Sequence, residues 1–204
     1  MSFSFGEKMA SSVFLASCSP RKGGNGDLIA RLLASSLSGQ VLTRRIVDEK
    51  VRPCISCGYC SDHPGECQLD GPGDGARLLF RELCRAGIGV IISPVYFYHL
   101  PAQAKAWVDR SQRFWFGEDK PGAGQVLTAV LYGARPRGVK LFEGAERTLR
   151  YMALALGLAW TEPLCLYGLD GPQDLARDAG AQDRVRAFAR ALEGRKDSNP
   201  CLPT

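Results

Sequence analysis

The sequence predicts a doubly wound α/β fold, with a parallel sheet of five strands and helices on both faces. Three observations carry this reading. Short apolar runs alternate with stretches whose apolar residues recur every three to four positions, the rhythm of strand, helix, strand. The run Gly87–Ser93 (GIGVIIS) is apolar throughout, as a strand covered on both faces is. Two loops, Ser17–Asn25 (SCSPRKGGN) and Pro94–Leu100 (PVYFYHL), each follow an apolar run and lead into an amphipathic helix, which is half of a βαβ unit. The natural order for such strands is 2-1-3-4-5, with strands 1, 3 and 4 as neighbours.

In chain order, Ser12–Ser17 (SVFLAS) reads as a buried strand bounded by turn formers. Pro20, Gly23, Gly24 and Gly26 leave the next loop free for backbone N–H groups to converge. Asp27–Leu37 carries Leu28, Ile29, Leu32, Leu33 and Leu37 as a helical stripe, and Gly39 stands at the expected C-cap. Val41–Val47 alternates as a second strand. Residues 48–73 break the rhythm with four cysteines, three prolines and four glycines, and a loop of that length points to function. Asp74–Arg85 returns to helix through Leu78, Leu79 and Leu83, and Gly87–Ser93 follows as the central strand. A helix is expected over Pro101–Phe114, with Pro101 suited to a first turn. Val126–Leu131 is a fourth strand with Tyr132–Gly138 as its exit loop. Lys140–Leu156 is a helix, Ala159–Tyr167 a fifth strand and Gln173–Leu192 the last helix. Residues 1–11 read as a disordered tail and residues 195–204 as a second tail. One domain remains over residues 12–194, with a Cys-rich insertion at 48–73.

Composition narrows the function. A chain of 204 residues can bury a full core without disulfide staples. No apolar run approaches the roughly 20 residues that cross a bilayer, so no membrane role is expected. The start, MSFSFGEKMASS, lacks the basic residues and long apolar stretch of a secretory signal. Net charge is +5, and Arg44, Arg45, Arg135, Arg137 and Lys140 are spread over loops and helices. That suits solvated surface and attraction of small anions rather than the dense basic stripe of a nucleic-acid binder. Eight cysteines without an export signal do not make a disulfide framework. Four of them within Cys54–Cys67 point to a metal or redox site in a cytoplasmic protein.

In an open parallel sheet the ligand sits beyond the carboxyl ends of the strands, where the order reverses. The first loop has neither the G-x-G-x-x-G spacing nor a G-K-[ST] ending. What remains is a helix N-terminus fed by small residues, whose N–H groups and dipole suit a phosphate. Ser19 and Asn25 can add hydrogen bonds and Arg21 a charge; a plain turn is the other reading. Pro94, Tyr96, Phe97 and Tyr98 suit a flat aromatic ring, with packing as the alternative. His99 reads as structural or exposed, and Lys105 with Asp109 as a helix-surface pair. The exit loop of strand 4, opening on Tyr132 and Gly133, reaches the same edge. A nucleotide-like cofactor lying between these loops is the candidate ligand.

Three motifs in order resemble the NAD(P)H-dependent FMN reductase superfamily of flavodoxin-like oxidoreductases. They are SPRKGGN after strand 1, C-x-x-C-x-x-C in the second loop and SPVYFYHLPAQAKAWVDR after strand 3. Within the superfamily they look most like the iron–sulfur flavoproteins, over residues 13–170. The resemblance implies FMN, with its phosphate on the first loop, its isoalloxazine against the second, and NAD(P)H as reductant. By position, Ser19, Arg21 and Asn25 match the family's phosphate loop, and Pro94, Val95, Tyr96 and Phe97 its flavin-ring loop. The family commonly carries Ser or Thr directly after the Asn. Gly26 stands there instead, so only its backbone N–H serves and one hydroxyl contact is missing. A homodimer or homotetramer is also implied, because flavin sites in the family form at subunit contacts.

The cysteines are spaced Cys54-x2-Cys57-x2-Cys60-x6-Cys67. Compact spacing suits a [4Fe–4S] cluster, which needs four thiolates around one small cube, and it resembles the iron–sulfur flavoprotein motif. Zinc held by four thiolates, or no metal, are the alternatives. One strand away from the ring loop, such a cluster could feed the same flavin. Cys18, Cys84 and Cys165 read as buried small residues, and Cys201 falls in the tail. The leading expectation is a flavoenzyme that passes electrons from NAD(P)H or a reduced carrier through FMN to a small acceptor such as a quinone, free flavin or iron. The cofactor carries the chemistry, so no side chain need act as acid or nucleophile. Arg135 and Arg137 are candidates to attract the phosphates of the nicotinamide nucleotide. The alternatives are an electron carrier between ferredoxin-like partners and a zinc-stabilised binding module or ligand sensor without a redox role.

Overall fold

The computed structural model describes residues 9–138 and 140–196. Three strands form its centre: β1 (Met9–Ser17), β3 (Ala86–Pro94) and β4 (Val126–Tyr132). They are flanked by β2 (Val41–Arg45) on one side and by β5 (Ala159–Trp160) and β6 (Leu164–Leu166) on the other. The order is β2-β1-β3-β4-β5, every pair is parallel, and β6 also pairs with β4. This is the expected flavodoxin-like order. The central strands are buried on both faces because both carry apolar side chains: Phe14, Ala16, Ile91, Ala129 and Leu131 look one way, and Val13, Leu15, Val90, Ile92 and Val130 the other.

Each face is covered by helices whose apolar stripe fits it. α1 (Asn25–Ser36) lays Ile29, Leu32 and Leu33 on the second face, beside Val185, Ala189 and Leu192 of α7 (Ala179–Lys196). On the first face lie α3 (Ala76–Arg85), α4 (Ala102–Asp109) and α5 (Glu143–Leu156), through residues such as Leu79, Trp107 and Leu149. Trp107 tilts against Phe80 at 5.4 Å, and Phe80 meets Phe114 edge-on at 5.1 Å, so α3 and α4 are locked by aromatic packing.

Several boundaries differ from expectation. The fifth strand is two short segments, broken at Thr161–Pro163. Pro163 has no N–H to give the ladder, and Thr128 donates its hydroxyl to the carbonyls of Thr161 and Glu162. The helix expected over Pro101–Phe114 is α-helical only to Asp109 and then tightens into a 3-10 turn, Arg110–Phe114. The last helix is interrupted at Asp178, with a single turn, α6 (Asp174–Arg177), before α7. β1 begins at Met9, inside the stretch expected to be a tail, while residues 1–8 and 197–204 lie outside the described residues. No helix among the described residues is long and apolar enough to cross a membrane.

The Cys-rich stretch contains one turn of helix, α2 (Tyr59–Asp62), and is closed at its base by buried charge. Arg110 is fully buried and donates to the Asp74 carboxylate at 2.9 Å, to Asp70 at 2.9 Å and to the Arg52 carbonyl at 3.0 Å. Arg113, also buried, grips Asp70 through both terminal nitrogens at 2.6 and 2.8 Å. Arg52 precedes the first cysteine of the loop and Asp70 follows the last, so one guanidinium ties both ends. Burial opposes the Asp74 charge, yet hydrogen bonds from Arg110 and from the N–H groups of Arg52 and Ala76 outweigh it and hold this carboxyl below its ordinary range.

Removing one partner from a buried pair leaves the other uncompensated. Arg110→Ala is therefore expected to cost on the order of 3–5 kcal/mol, read as a fall in the urea midpoint. The linkage also has a definite sign. A carboxyl with a depressed folded-state pKa gives stability above its unfolded value, about 3.9, and loses it as pH falls through the lower folded value. Stability measured from pH 5 to pH 2 should thus fall more steeply in the native chain than in Asp74→Asn.

Candidate cofactor site

The register of the three central strands brings their exit loops to one level. Ser17 lies opposite Ile92, and Pro94 opposite Tyr132. The loop after β1 is tied on several sides. Ser19 Oγ accepts the Arg21 N–H at 3.2 Å, and the Asp27 carboxylate accepts the Gly23 N–H at 2.6 Å. Arg45, at the end of β2, donates to the carbonyls of Ser19 and Pro20 at 3.4 and 3.5 Å. Gln173 donates to the Gly23 carbonyl at 3.1 Å. The loop delivers the chain into α1, whose first-turn N–H groups have no intrahelical partner and carry the positive end of the helix dipole. Ser17 Oγ, 1% exposed, has no hydrogen-bond partner among the described residues.

The aromatic loop is a two-residue turn. Tyr96 and His99 exchange N–H···O bonds at 2.9 and 3.0 Å, with Phe97 (φ 50°) and Tyr98 (φ 64°) between them in the left-handed region. A turn of this hand favours Asn-Gly, and bulky residues there cost about 1–3 kcal/mol each. Several contacts hold it. Val95 N–H reaches the Tyr132 carbonyl at 2.8 Å, His99 Nε2 meets Thr148 Oγ1 at 3.0 Å, and the Arg135 guanidinium sits 5.2 Å above the Tyr98 ring. Gly144 lets α5 approach: a Cβ there would stand 2.6 Å from the Tyr98 carbonyl oxygen. Burial, then the charge of Lys105, lowers the His99 pKa, so this ring is neutral at pH 7. The turn presents Phe97 fully to solvent and Tyr96 and Tyr98 about half exposed.

Ser19, Arg21, Asn25, Pro94, Val95, Tyr96, Tyr132 and Gly133 line one cavity of about 170 Å³. Gly26 lies beneath the Tyr132 hydroxyl, and Phe97 stands clear at the rim. One expected contact is altered. The Asn25 side chain is engaged elsewhere, donating to the Gly171 carbonyl at 2.9 Å and accepting the Leu175 N–H at 3.1 Å. The Asn25 side chain therefore acts as a strut between α1 and the segment Gly171–Leu175. The stretch Leu169–Gln173 was not singled out from sequence, yet Leu169 and Asp170 also line the cavity. The available signal was its place as the exit loop of the fifth strand. Among the nearby thiols, burial pushes Cys18 up to about 12 and Cys165 up to about 11, so neither is a nucleophile at neutral pH. Arg135, exposed, lies over the Tyr98 ring, and Lys105 pairs with Asp109 as expected.

These features fit a phosphorylated flavin. The tied loop and free helix N-terminus suit the phosphate, the orphaned Ser17 hydroxyl marks an oxygen-binding end, and the aromatic turn edges a flat wall. Cys54, Cys57, Cys60 and Cys67 line a separate surface pocket of about 460 Å³, together with Asp109, Gln112 and Phe116. Burial, then the neighbouring Cys67, Cys54 and Cys57, raises the Cys60 thiol, so the four share one patch. Among the described residues no three His, Cys, Asp or Glu side chains are gathered closely enough to hold a metal ion. Asp109, at the end of α4, lines this cysteine pocket, while the aromatic turn precedes the start of the same helix. The two pockets share no lining residue.

Comparison with known proteins follows the same line. The chain is 39% identical over 97 residues to an iron–sulfur flavoprotein of Methanosarcina thermophila, covering 46% of this chain and 48% of that one. It is 29% identical over 135 residues to an iron–sulfur flavoprotein of Methanocaldococcus jannaschii, covering 65% and 64%. An FMN-dependent NADH:quinone oxidoreductase of Bradyrhizobium diazoefficiens matches at 25% identity over 64% and 66%. The matches thus span about half to two-thirds of the length of these relatives. Among solved structures, a flavone reductase superposes with a TM-score of 0.65 at 11% identity, covering 91% of this chain and 63% of that one. A WrbA-like flavodoxin of Agrobacterium tumefaciens superposes at 0.59 and 13%, covering 94% and 100%. At such identities these two speak for the fold alone. The model of the NADPH-dependent FMN reductase family matches residues 11–157, a span that includes the loops after β1, β3 and β4, and the chain belongs to that family.

Proposed function

We propose that the chain binds FMN across the exit loops of β1, β3 and β4 and transfers electrons from NAD(P)H to a small acceptor. The observation that carries this reading is the single cavity shared by the α1 N-terminus and the aromatic turn. When bound, FMN supplies the redox chemistry, accepting a hydride and releasing electrons one or two at a time. The chain's own residues bind and orient. The first turn of α1 and Arg21 attract the phosphate. Arg45 and Asp27 keep that loop in shape. The strained turn keeps Tyr96 and Tyr98 at the edge of the ring wall, and Phe97 bounds the side from which a planar reductant or acceptor would enter. A quinone as acceptor is supported by the name of the Bradyrhizobium relative.

Apoprotein mixed with FMN should quench flavin fluorescence at one site per chain and then oxidise NADH or NADPH with a quinone present. Reduction only by a ferredoxin would instead assign a carrier role. A chain that stays colourless after FMN is added would overturn both.

A second reading, an iron–sulfur flavoprotein, is favoured by the cysteine patch and by the two archaeal relatives. The surface position of the patch suits exchange with a partner protein or a second copy of the chain. Protein prepared anaerobically should carry about four irons per chain if the cluster forms. Cys60→Ser should lower the iron content and leave FMN binding intact. Zinc in place of iron would make the patch structural, and a metal-free protein with full flavin content would remove this reading.

A further inference from the structure

We propose that the Tyr132 phenol takes the place of the hydroxyl missing at Gly26 and donates to the FMN phosphate, so that β4 rather than α1 selects the phosphorylated flavin. This rests on the FMN reading above and goes beyond it in assigning the selectivity to one side chain. A Cβ built at Gly26 would stand 2.7 Å from the Tyr132 hydroxyl, 3.2 Å from Ser19 Cβ and 3.6 Å from Ser17 Oγ. A side chain at position 26 and the phenol at position 132 therefore compete for one volume. Gly26 is the residue that admits Tyr132, and the hydroxyl that arrives stands in the space of the one that is lost.

The surroundings agree with a donor in that place. Tyr132 is 5% exposed, its ring packed in the core beneath α1 and its hydroxyl beside the first turn of that helix. Burial pushes the phenol well above its ordinary pKa, so it is protonated at every working pH. A phenol donates one proton, and an oxygen of a phosphate seated at the α1 N-terminus would be an acceptor for it. Ser17 supplies an independent sign that an oxygen-rich ligand is expected here. Its hydroxyl is buried, without a partner among the described residues, and next to Gly26. A buried hydroxyl without a partner is costly unless something else completes it.

The test is the affinity of apoprotein for FMN and for riboflavin, which differ only in the phosphate, by fluorescence quenching. Tyr132→Phe keeps the ring and removes one hydrogen bond to a charged group, so FMN affinity should fall about tenfold while riboflavin affinity holds. Gly26→Ser in the presence of Tyr132 should weaken FMN binding through crowding. The double variant G26S/Y132F should recover FMN affinity relative to Tyr132→Phe alone, since each change makes room for the other. Thermal melts of each variant separate binding from folding. Unchanged FMN affinity in Tyr132→Phe, an equal loss for riboflavin, or no recovery in the double variant would overturn this assignment while leaving FMN as the cofactor. A native chain that binds neither flavin would overturn the assignment and the proposed function together.

Discussion

The structure depends on the parallel register of β1, β3 and β4. Seven consecutive residue pairs join β3 to β4, from Ile88↔Val126 to Pro94↔Tyr132, and β1 meets β3 from Val13↔Ile88 to Ser17↔Ile92. In a parallel sheet all carboxyl ends point the same way, so a level register makes the exit loops neighbours although about 110 residues separate Ser19 from Tyr132 in sequence. The register is itself fixed by burial. With apolar side chains on both faces, a slip of one residue would exchange the whole set between the α1/α7 side and the α3/α4/α5 side. Site geometry follows from core packing, and the cavity is a by-product of where the core strands stop.

This explains why the fold was legible in the sequence and parts of the site were not. Strand order rests on runs such as GIGVIIS and on alternation with helical stripes, both local signals that survive any detail of packing. The break in the fifth strand depends on Thr128 reaching the carbonyls of Thr161 and Glu162, an encounter invisible until β4 and the following segment lie side by side. The loop after β1 and the aromatic turn were recognisable because their residue types are distinctive. The role of Asn25 was not. Its side chain answers to Gly171 and Leu175, 146 and 150 residues away, and no spacing rule reports a contact of that range. The same holds for Leu169 and Asp170, which join the cavity only because β6 pairs with β4.

The exchange at Gly26 shows how a local departure can be an incomplete description. Read along the chain, Gly26 is a lost hydroxyl. Read in space, it is a vacated volume with another hydroxyl in it, carried by a strand two places across the sheet. The change also alters what the contact is coupled to. A serine on α1 would move with the phosphate loop. Tyr132 instead belongs to the strand whose carbonyl holds Val95 and, through it, the start of the aromatic turn. Phosphate and ring contacts would then share one rigid element, so a shift of β4 would be felt at both ends of the cofactor.

Strain and buried charge divide the remaining work between the two ends of α4. At its start, two left-handed aromatic residues hold the turn in a shape that costs several kcal/mol in sum, offset by the His99–Thr148 and Val95–Tyr132 hydrogen bonds and by the close approach at Gly144. At its end, Arg110 and Arg113 carry buried charge that is satisfied only while Asp70 and Asp74 face them. The two devices fail differently. Hydrogen bonds at the half-exposed turn can be exchanged for water at a cost near 1 kcal/mol each, whereas an opened clasp leaves a guanidinium in a dry interior at several times that cost. The cysteine loop is therefore held by the stiffer of the two. The aromatic turn is held by the softer one, which suits the proposed passage of a planar reductant or acceptor past it.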